Sequence, residues 1–256
     1  MPVDRQERSG VAVLTFASGK VNALDLELLT ELGEAIDALA ARRQPPPVVL
    51  TGAGRSFSAG VDLFRVLDEG GGYLDDFLPR IGGLLRRLIG YPGPVVAALN
   101  GHAIAGGYVV ACGCDRRIMA AGAGKLGITE LPVGVPFPWM ALEAVRRVAG
   151  ERLGREMVLL GSLYTPERGL ELGLVDELTA PEELAARAVE CAAALGRIPA
   201  EAFRLTKGQL AASLFRAAEA EERAHDERVL AVWKSPASRA AMRAFLERTV
   251  GRGGRG

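Results

Sequence analysis

Two short stretches of small residues carry the groups that could do chemistry in this 256-residue chain. The first is Phe57-Ser58-Ala59-Gly60-Val61-Asp62-Leu63, and the second is Ala105-Gly106-Gly107, inside the longer run from Pro94 to Asp115. Glycine lets a backbone come close to a ligand, and a strand-to-helix junction leaves N–H groups without intrahelical partners. Negative charge at such a junction is stabilised by those donors and by the helix dipole. Tight packing of a helix on a sheet would use the same glycines, so the pattern by itself leaves both readings open. The carboxylate candidates are few. Asp62 closes the first stretch, and Glu130 stands among apolar neighbours, Leu131-Pro132-Val133. Such surroundings raise a carboxyl pKa towards working pH and suit a general base, although a lone glutamate can equally cap a helix or pair with an arginine. Ser58, His102 and Asp115 supply the residue types of a hydrolytic triad, but no nucleophile-elbow motif surrounds Ser56 or Ser58.

Composition removes several function classes. Thirty-one basic residues balance thirty-one acidic ones, so no global field favours nucleic acid or an anionic membrane. Aromatics make up 5% of the chain, too few for a base-stacking platform. Cys112, Cys114 and Cys191 form no disulfide framework, and the spacing of Cys112 and Cys114 is wrong for a structural zinc pair. No metal is expected, and free buried thiols fit a reducing cytosol, hence a cytoplasmic protein. The polar start at Met1 gives no sign of a leader, and no apolar run reaches membrane-spanning length.

These groups need a scaffold, and the elements are readable. Val3 to Arg8 and Val11 to Phe16 flank Ser9-Gly10 as a β-hairpin. A helix opens near Asn22 or Asp25, either of which could cap it, with Leu24, Leu28, Leu32, Ile36 and Leu39 on one face. Val48-Val49-Leu50 is a short buried strand; Gly52-x-Gly54 after it lacks the third glycine and the following helix of a dinucleotide site. Asp68 to Tyr73 reads as a flexible glycine-rich insert at a pocket edge, followed by an amphipathic helix from Leu74 to Leu88. Pro94 to Leu99 is a fully buried strand, Arg117 to Ala120 another, and Lys125 to Pro138 a loop that holds Glu130. From Met140 the pattern is helical nearly to the end, with a frayed Gly251–Gly256. Strand–strand–helix units recur through the first half. A boundary near Gly196-Arg197-Ile198-Pro199 separates a core, residues 1–196, from a helical region, residues 197–256.

Taken together, the pieces resemble the crotonase superfamily, the enoyl-CoA hydratases and isomerases, over essentially the full length. They are Asn22-Ala23-Leu24, Phe57 to Leu63, Asn100-Gly101-His102-Ala103-Ile104-Ala105-Gly106-Gly107, Cys114-Asp115, Leu126-Gly127-Ile128-Thr129-Glu130 and Val133-Gly134. Their order and spacing are specific where each fragment alone is weak. The resemblance implies an α/β spiral of ββα units with a C-terminal helical region that assembles and covers the coenzyme, usually in trimers or dimers of trimers.

The resemblance also implies roles. The N–H groups of Val61 and Gly106 match the oxyanion-hole positions that bind an acyl-CoA thioester carbonyl, with Ser58, Ala59, Gly60, Leu63 and Ala105 forming the surrounding backbone. Main-chain donors tolerate varied side chains, so Val61 fits. Hydratases of this family use two glutamates, and the first lies three residues past the oxyanion glycine, where this chain has Val109. The second matches Glu130. One carboxylate suffices to move a proton from C2 to C4 of a 3-enoyl-CoA, so the pattern favours a Δ3,Δ2-enoyl-CoA isomerase over a hydratase or another acyl-CoA lyase or hydrolase. Asp62 is read as fixing the oxyanion loop, since an acid beside an oxyanion would oppose its charge. Lys20, Val21 and Ala23 match positions lining the nucleotide part of CoA, and Lys207 could reach a phosphate, though either lysine could also be plain solvated surface. No separate cofactor is implied, because coenzyme A is part of the substrate. A non-catalytic acyl-CoA-binding subunit is the alternative of another class.

Overall fold

The computed structural model describes residues 2–122 and 124–249; the expected fraying of Gly251–Gly256 lies outside them. Ser9 and Gly10 both take positive φ, 51° and 75°, as a two-residue hairpin turn requires. They join β1 (Val3–Arg8) to β2 (Val11–Phe16) in an antiparallel pair. Asp25 caps α1 (Leu26–Ala40), its carboxylate accepting from the Leu28 N–H at 2.7 Å. Asn22 does something else, described below.

From there the chain repeats one device. Each unit sends its first strand to a large sheet and its second to a small one, then returns through helix. β3 (Val48–Gly52) is followed by β4 (Ser56–Ser58), β5 (Val95–Leu99) by β6 (His102–Ile104), and β7 (Arg116–Ala120) by β8 (Leu126–Gly127). The returning helices are α2 (Leu63–Glu69) and α3 (Gly71–Gly90), α4 (Gly106–Cys112), then α5 (Glu130–Val133) and α6 (Trp139–Leu160). β9 (Leu163–Tyr164), α7 (Pro166–Glu171), β10 (Glu177–Thr179) and α8 (Leu184–Gly196) close the core, and α9 (Ala200–Lys234) and α10 (Pro236–Thr249) follow. The large sheet runs β1-β2-β3-β5-β7-β10 and the small one β4-β6-β8-β9. β2, β3, β5, β7 and β10 are mutually parallel, which explains why β5 is apolar and buried at every position. One face of the large sheet packs on α8 through Val13, Val49, Val96 and Ile118 against Ala188 and Ala192. The other faces the main core.

Three sequence expectations are corrected. The glycine-rich stretch after Asp68 is not a loose insert. Gly70, with φ 78°, turns the chain from α2 into α3. Tyr73 is buried there, and a Cβ at Gly71 would touch the aliphatic stem of Lys234 at 3.5 Å. The loop around Glu130 contains β8 and the single turn of α5. The region after Met140 is not wholly helical, because β9 and β10 add one strand to each sheet; strands of two or three residues are too short to show a period.

Candidate active site

β6 and β8 bring the Ala105-Gly106-Gly107 stretch and Glu130 together. They pair in parallel, Ala103 with Leu126 and Ile104 with Gly127, and the Ala105 N–H donates to Gly127 O at 2.8 Å. Gly106 follows the end of β6 and Glu130 follows the end of β8, so donor and carboxylate leave the same edge of the small sheet.

The loop from Ala59 to Asp62 is held from one side. Leu24 and Val61 form a parallel bridge. The Leu24 N–H donates to Gly60 O at 2.7 Å, and the Asp62 N–H donates to Leu24 O at 3.0 Å. Alternation along extended backbone then turns the Val61 N–H away from Leu24. Further back, the Ala59 N–H donates to Val21 O at 3.0 Å, and buried Ser58 accepts from the Gly60 N–H through Oγ at 3.1 Å. Asp62 caps α2, accepting from the Arg65 N–H at 3.1 Å, and Leu63 is the first residue of that helix.

The second donor is set by strain. Ala105 takes φ 52° and ψ −131°, a region that costs a non-glycine residue about 1–3 kcal/mol. That torsion orients the peptide between Ala105 and Gly106, and hence the Gly106 N–H. Neither the Val61 N–H nor the Gly106 N–H has an acceptor among the described residues. The two loops touch: a Cβ at Gly60 (φ 89°) would lie 2.8 Å from Ala105 Cβ and 3.1 Å from Gly106 N. A Cβ at Gly106 would meet Leu24, Ile81 and Val61 side chains at 3.1–3.6 Å. Two N–H donors without acceptors therefore lie on touching loops in apolar surroundings, where charge stabilisation is strongest.

Glu130 is the one carboxylate in the buried class among the described residues. Burial pushes its pKa up to about 7, and the N–H groups of Glu130 and Thr129 pull it back only in part. The Thr129 N–H reaches Oε2 at 2.9 Å. Val109, one turn along α4 from Gly106, is 1% exposed, its N–H bonded to Ala105 O at 3.0 Å. Burial raises the thiols of Cys112 and Cys114 to about 12, so neither is a nucleophile. Among the described residues no cluster of His, Cys, Asp and Glu could hold a metal ion.

Other sequence candidates are dispersed. Lys20 and Val21 are exposed on the turn before α1, with Ala23 half-buried beside them. Lys207 is neither a free phosphate ligand nor solvated surface. Its Nζ lies 2.7 Å from Asp115 Oδ2 and 3.1 Å from Gly93 O, with the side chain 10% exposed. Those partners stand at the start of β5 and β7, the sheet end opposite the one from which the chain runs on to Gly106. The same contacts dissolve the hydrolytic triad, since Asp115 is committed to Lys207 and the Val95 N–H. His102 is exposed, its Nδ1 accepting from the Lys125 N–H. Sequence reasoning missed Asn22 as a buried brace. With φ 51°, it donates through Nδ2 to Ala53 O and Ser56 O and accepts from the Ser18 N–H. Only a polar residue buried beside a glycine-rich turn would have signalled it, and burial is not visible in a single sequence.

Comparison with known proteins agrees with this fold. The family profile for enoyl-CoA hydratase/isomerase matches residues 6–251. The mitochondrial enoyl-CoA delta isomerase 1 of Rattus norvegicus is 30% identical over 210 residues, 81% of this chain and 73% of that protein. A putative enoyl-CoA hydratase of Thermus thermophilus is 35% identical over 194 residues, 75% of this chain and 76% of its own length. The crystal structure of human mitochondrial delta3-delta2-enoyl-CoA isomerase superposes with a TM-score of 0.90 at 28% identity, covering 97% of this chain and 98% of that one. With its ββα spiral and C-terminal helices, the chain belongs to the enoyl-CoA hydratase/isomerase family of the crotonase superfamily.

Proposed function

We propose that the protein is a Δ3,Δ2-enoyl-CoA isomerase that works with one carboxylate. The thioester oxygen of a 3-enoyl-CoA accepts from the N–H groups of Val61 and Gly106. Preorganised donors stabilise the enolate more than the ground-state carbonyl, and the loss of one such donor costs about 2.7–4 kcal/mol in the transition state. Glu130, ionised, removes a proton from C2. The electron pair delocalises onto the thioester oxygen and through C3 to C4, and protonated Glu130 returns the proton at C4, giving the 2-enoyl-CoA and restoring the carboxylate. A carboxyl with a pKa of about 7 suits both halves of that exchange. Lys20, Val21 and Ala23 would line the nucleotide portion of the coenzyme.

The observation that carries the reading is Val109. A hydratase needs a second acid to hold and activate water, and Val109 is apolar and 1% exposed. With nothing there to orient water, the bound enolate is left to the single base. The test is Glu130→Gln, which keeps the shape and the Thr129 contact but not the base. Isomerisation should fall about 100- to 10,000-fold, with affinity for a saturated acyl-CoA retained. A variant as active as wild type would remove Glu130 from the mechanism and leave the non-catalytic binder as the better reading.

A further inference from the structure

α10 touches both halves of the site through two consecutive residues. Ser238 Oγ donates to Gly134 O at 2.9 Å, and Gly134 (φ 94°) is the residue that ends α5, whose first residue is Glu130. The fit there is close, since a Cβ at Gly134 would lie 2.5 Å from Ala241 Cβ. The next residue, Arg239, turns to α2, donating through Nη2 to Leu67 O at 2.7 Å and through Nη1 to Val66 O at 3.4 Å.

The second contact has a physical reason to matter. α2 is seven residues long and begins at Leu63, two residues after Val61. Asp62 satisfies its N-terminus, but its last turn holds no basic residue. Helices leave their last carbonyls short of partners and their C-terminus partially negative, so a cation there is favourable; of the two carbonyls, Val66 O also accepts from the Gly70 N–H at 3.3 Å. Here that cation comes from about 170 residues further along the chain. A two-turn helix has little rigidity of its own. Its placement, and that of Val61 two residues before it, depends on what holds its two ends.

We propose that Arg239 is a positioning residue: by holding the C-terminal end of α2 from α10, it keeps the Val61 N–H aligned with the base on α5. The inference rests on the oxyanion role given to Val61 above. Misplacement of a reacting group by about 1 Å can cost about 100-fold in rate, and that sets the scale of the effect.

The test compares wild type, Arg239→Ala and Arg239→Lys in D2O and H2O, with melting temperature recorded for each. Two rates are measured on a 3-enoyl-CoA: isomerisation, and exchange of the C2 proton read by NMR. Arg239→Ala should lower both rates about 10- to 100-fold, leave KM within about twofold, and leave the Glu130-controlled acid limb of the pH profile in place. Lysine keeps the charge but is shorter and lacks the planar, preorganised fork of the guanidinium, so Arg239→Lys should fall between the other two. If Arg239→Ala is not recovered folded, an Arg239→Lys enzyme with full kcat overturns the proposal. A lowered melting temperature with unchanged kcat in Arg239→Ala overturns it too, as does a shifted acid limb. Exchange needs donor and base but no movement of the double bond. A wild type that exchanges without isomerising therefore overturns the isomerase reading, while Arg239 is still decided by the exchange rates. A wild type that does neither overturns both.

Discussion

Glu130 has the most exposed consequences of any residue in the account. Its folded pKa of about 7 stands above the ordinary 4.5. Between those values the unfolded chain has released the proton and the folded chain still holds it. Stability is therefore full at pH below 4.5 and declines as pH rises through 7, by about 3 kcal/mol once ionisation is complete. Glu130→Gln removes that cost, so calorimetry should find the variant more heat-stable than wild type at pH 8 and little different at pH 4.5; equal gaps at both would contradict the burial argument. The same group should give kcat/KM an acid limb near pH 7, absent from the residual activity of the glutamine variant. Gly60 gives a steric prediction of the same kind. A Cβ there would press on Ala105 Cβ and Gly106 N, at a φ of 89° that disfavours alanine. Gly60→Ala should cost about 100-fold or more in kcat by spreading the two donors, and steady-state kinetics would show it. The identity of Glu130 and the two glycines was legible in the sequence. The positive φ of Ala105 was not, because alanine carries no mark of a left-handed torsion.

At the scale of elements, legibility followed length and burial. The hairpin, the buried β5 and the amphipathic face of α3 show in the sequence because six or more residues, or an unbroken apolar run, give a period or a composition to read. β4, β6, β8 and β9 have two or three residues each and exist because neighbouring strands pair with them. They are also the strands that place the site, so the residues were readable while their convergence was not. Lys207 shows how an isolated charge misleads. Nothing local distinguishes a solvated lysine from one that anchors α9 to Asp115. With the lysine side chain 10% and the aspartate 25% exposed, Lys207→Met should destabilise by about 2–3 kcal/mol, below the range for fully buried pairs because the aspartate is partly solvated. Denaturant unfolding measures that loss. A raised KM for acyl-CoA with unchanged stability would restore the phosphate-ligand role.

The whole molecule is an economical answer to one geometric demand. A thioester enolate needs two donors and a base on one side, and no single element supplies all three. In the proposed mechanism the spiral supplies them from successive turns: the Val61 loop after β4, Gly106 after β6, Glu130 after β8. α10 then lies across α2 and α5 through Arg239 and Ser238. α9 also presents Leu205 and Leu210, 53% and 67% exposed, surface that the trimer or dimer of trimers implied by the resemblance would use; sedimentation equilibrium should find three or six chains per particle, and a monomer would contradict it. The central claim, though, is that a site with one carboxylate moves a double bond and does not add water. One preparation given a 3-enoyl-CoA and a 2-enoyl-CoA in parallel decides it. The account expects isomerisation of the first to exceed hydration of the second by at least about 100-fold, the contribution of the missing acid; hydration at a rate matching isomerisation would contradict it.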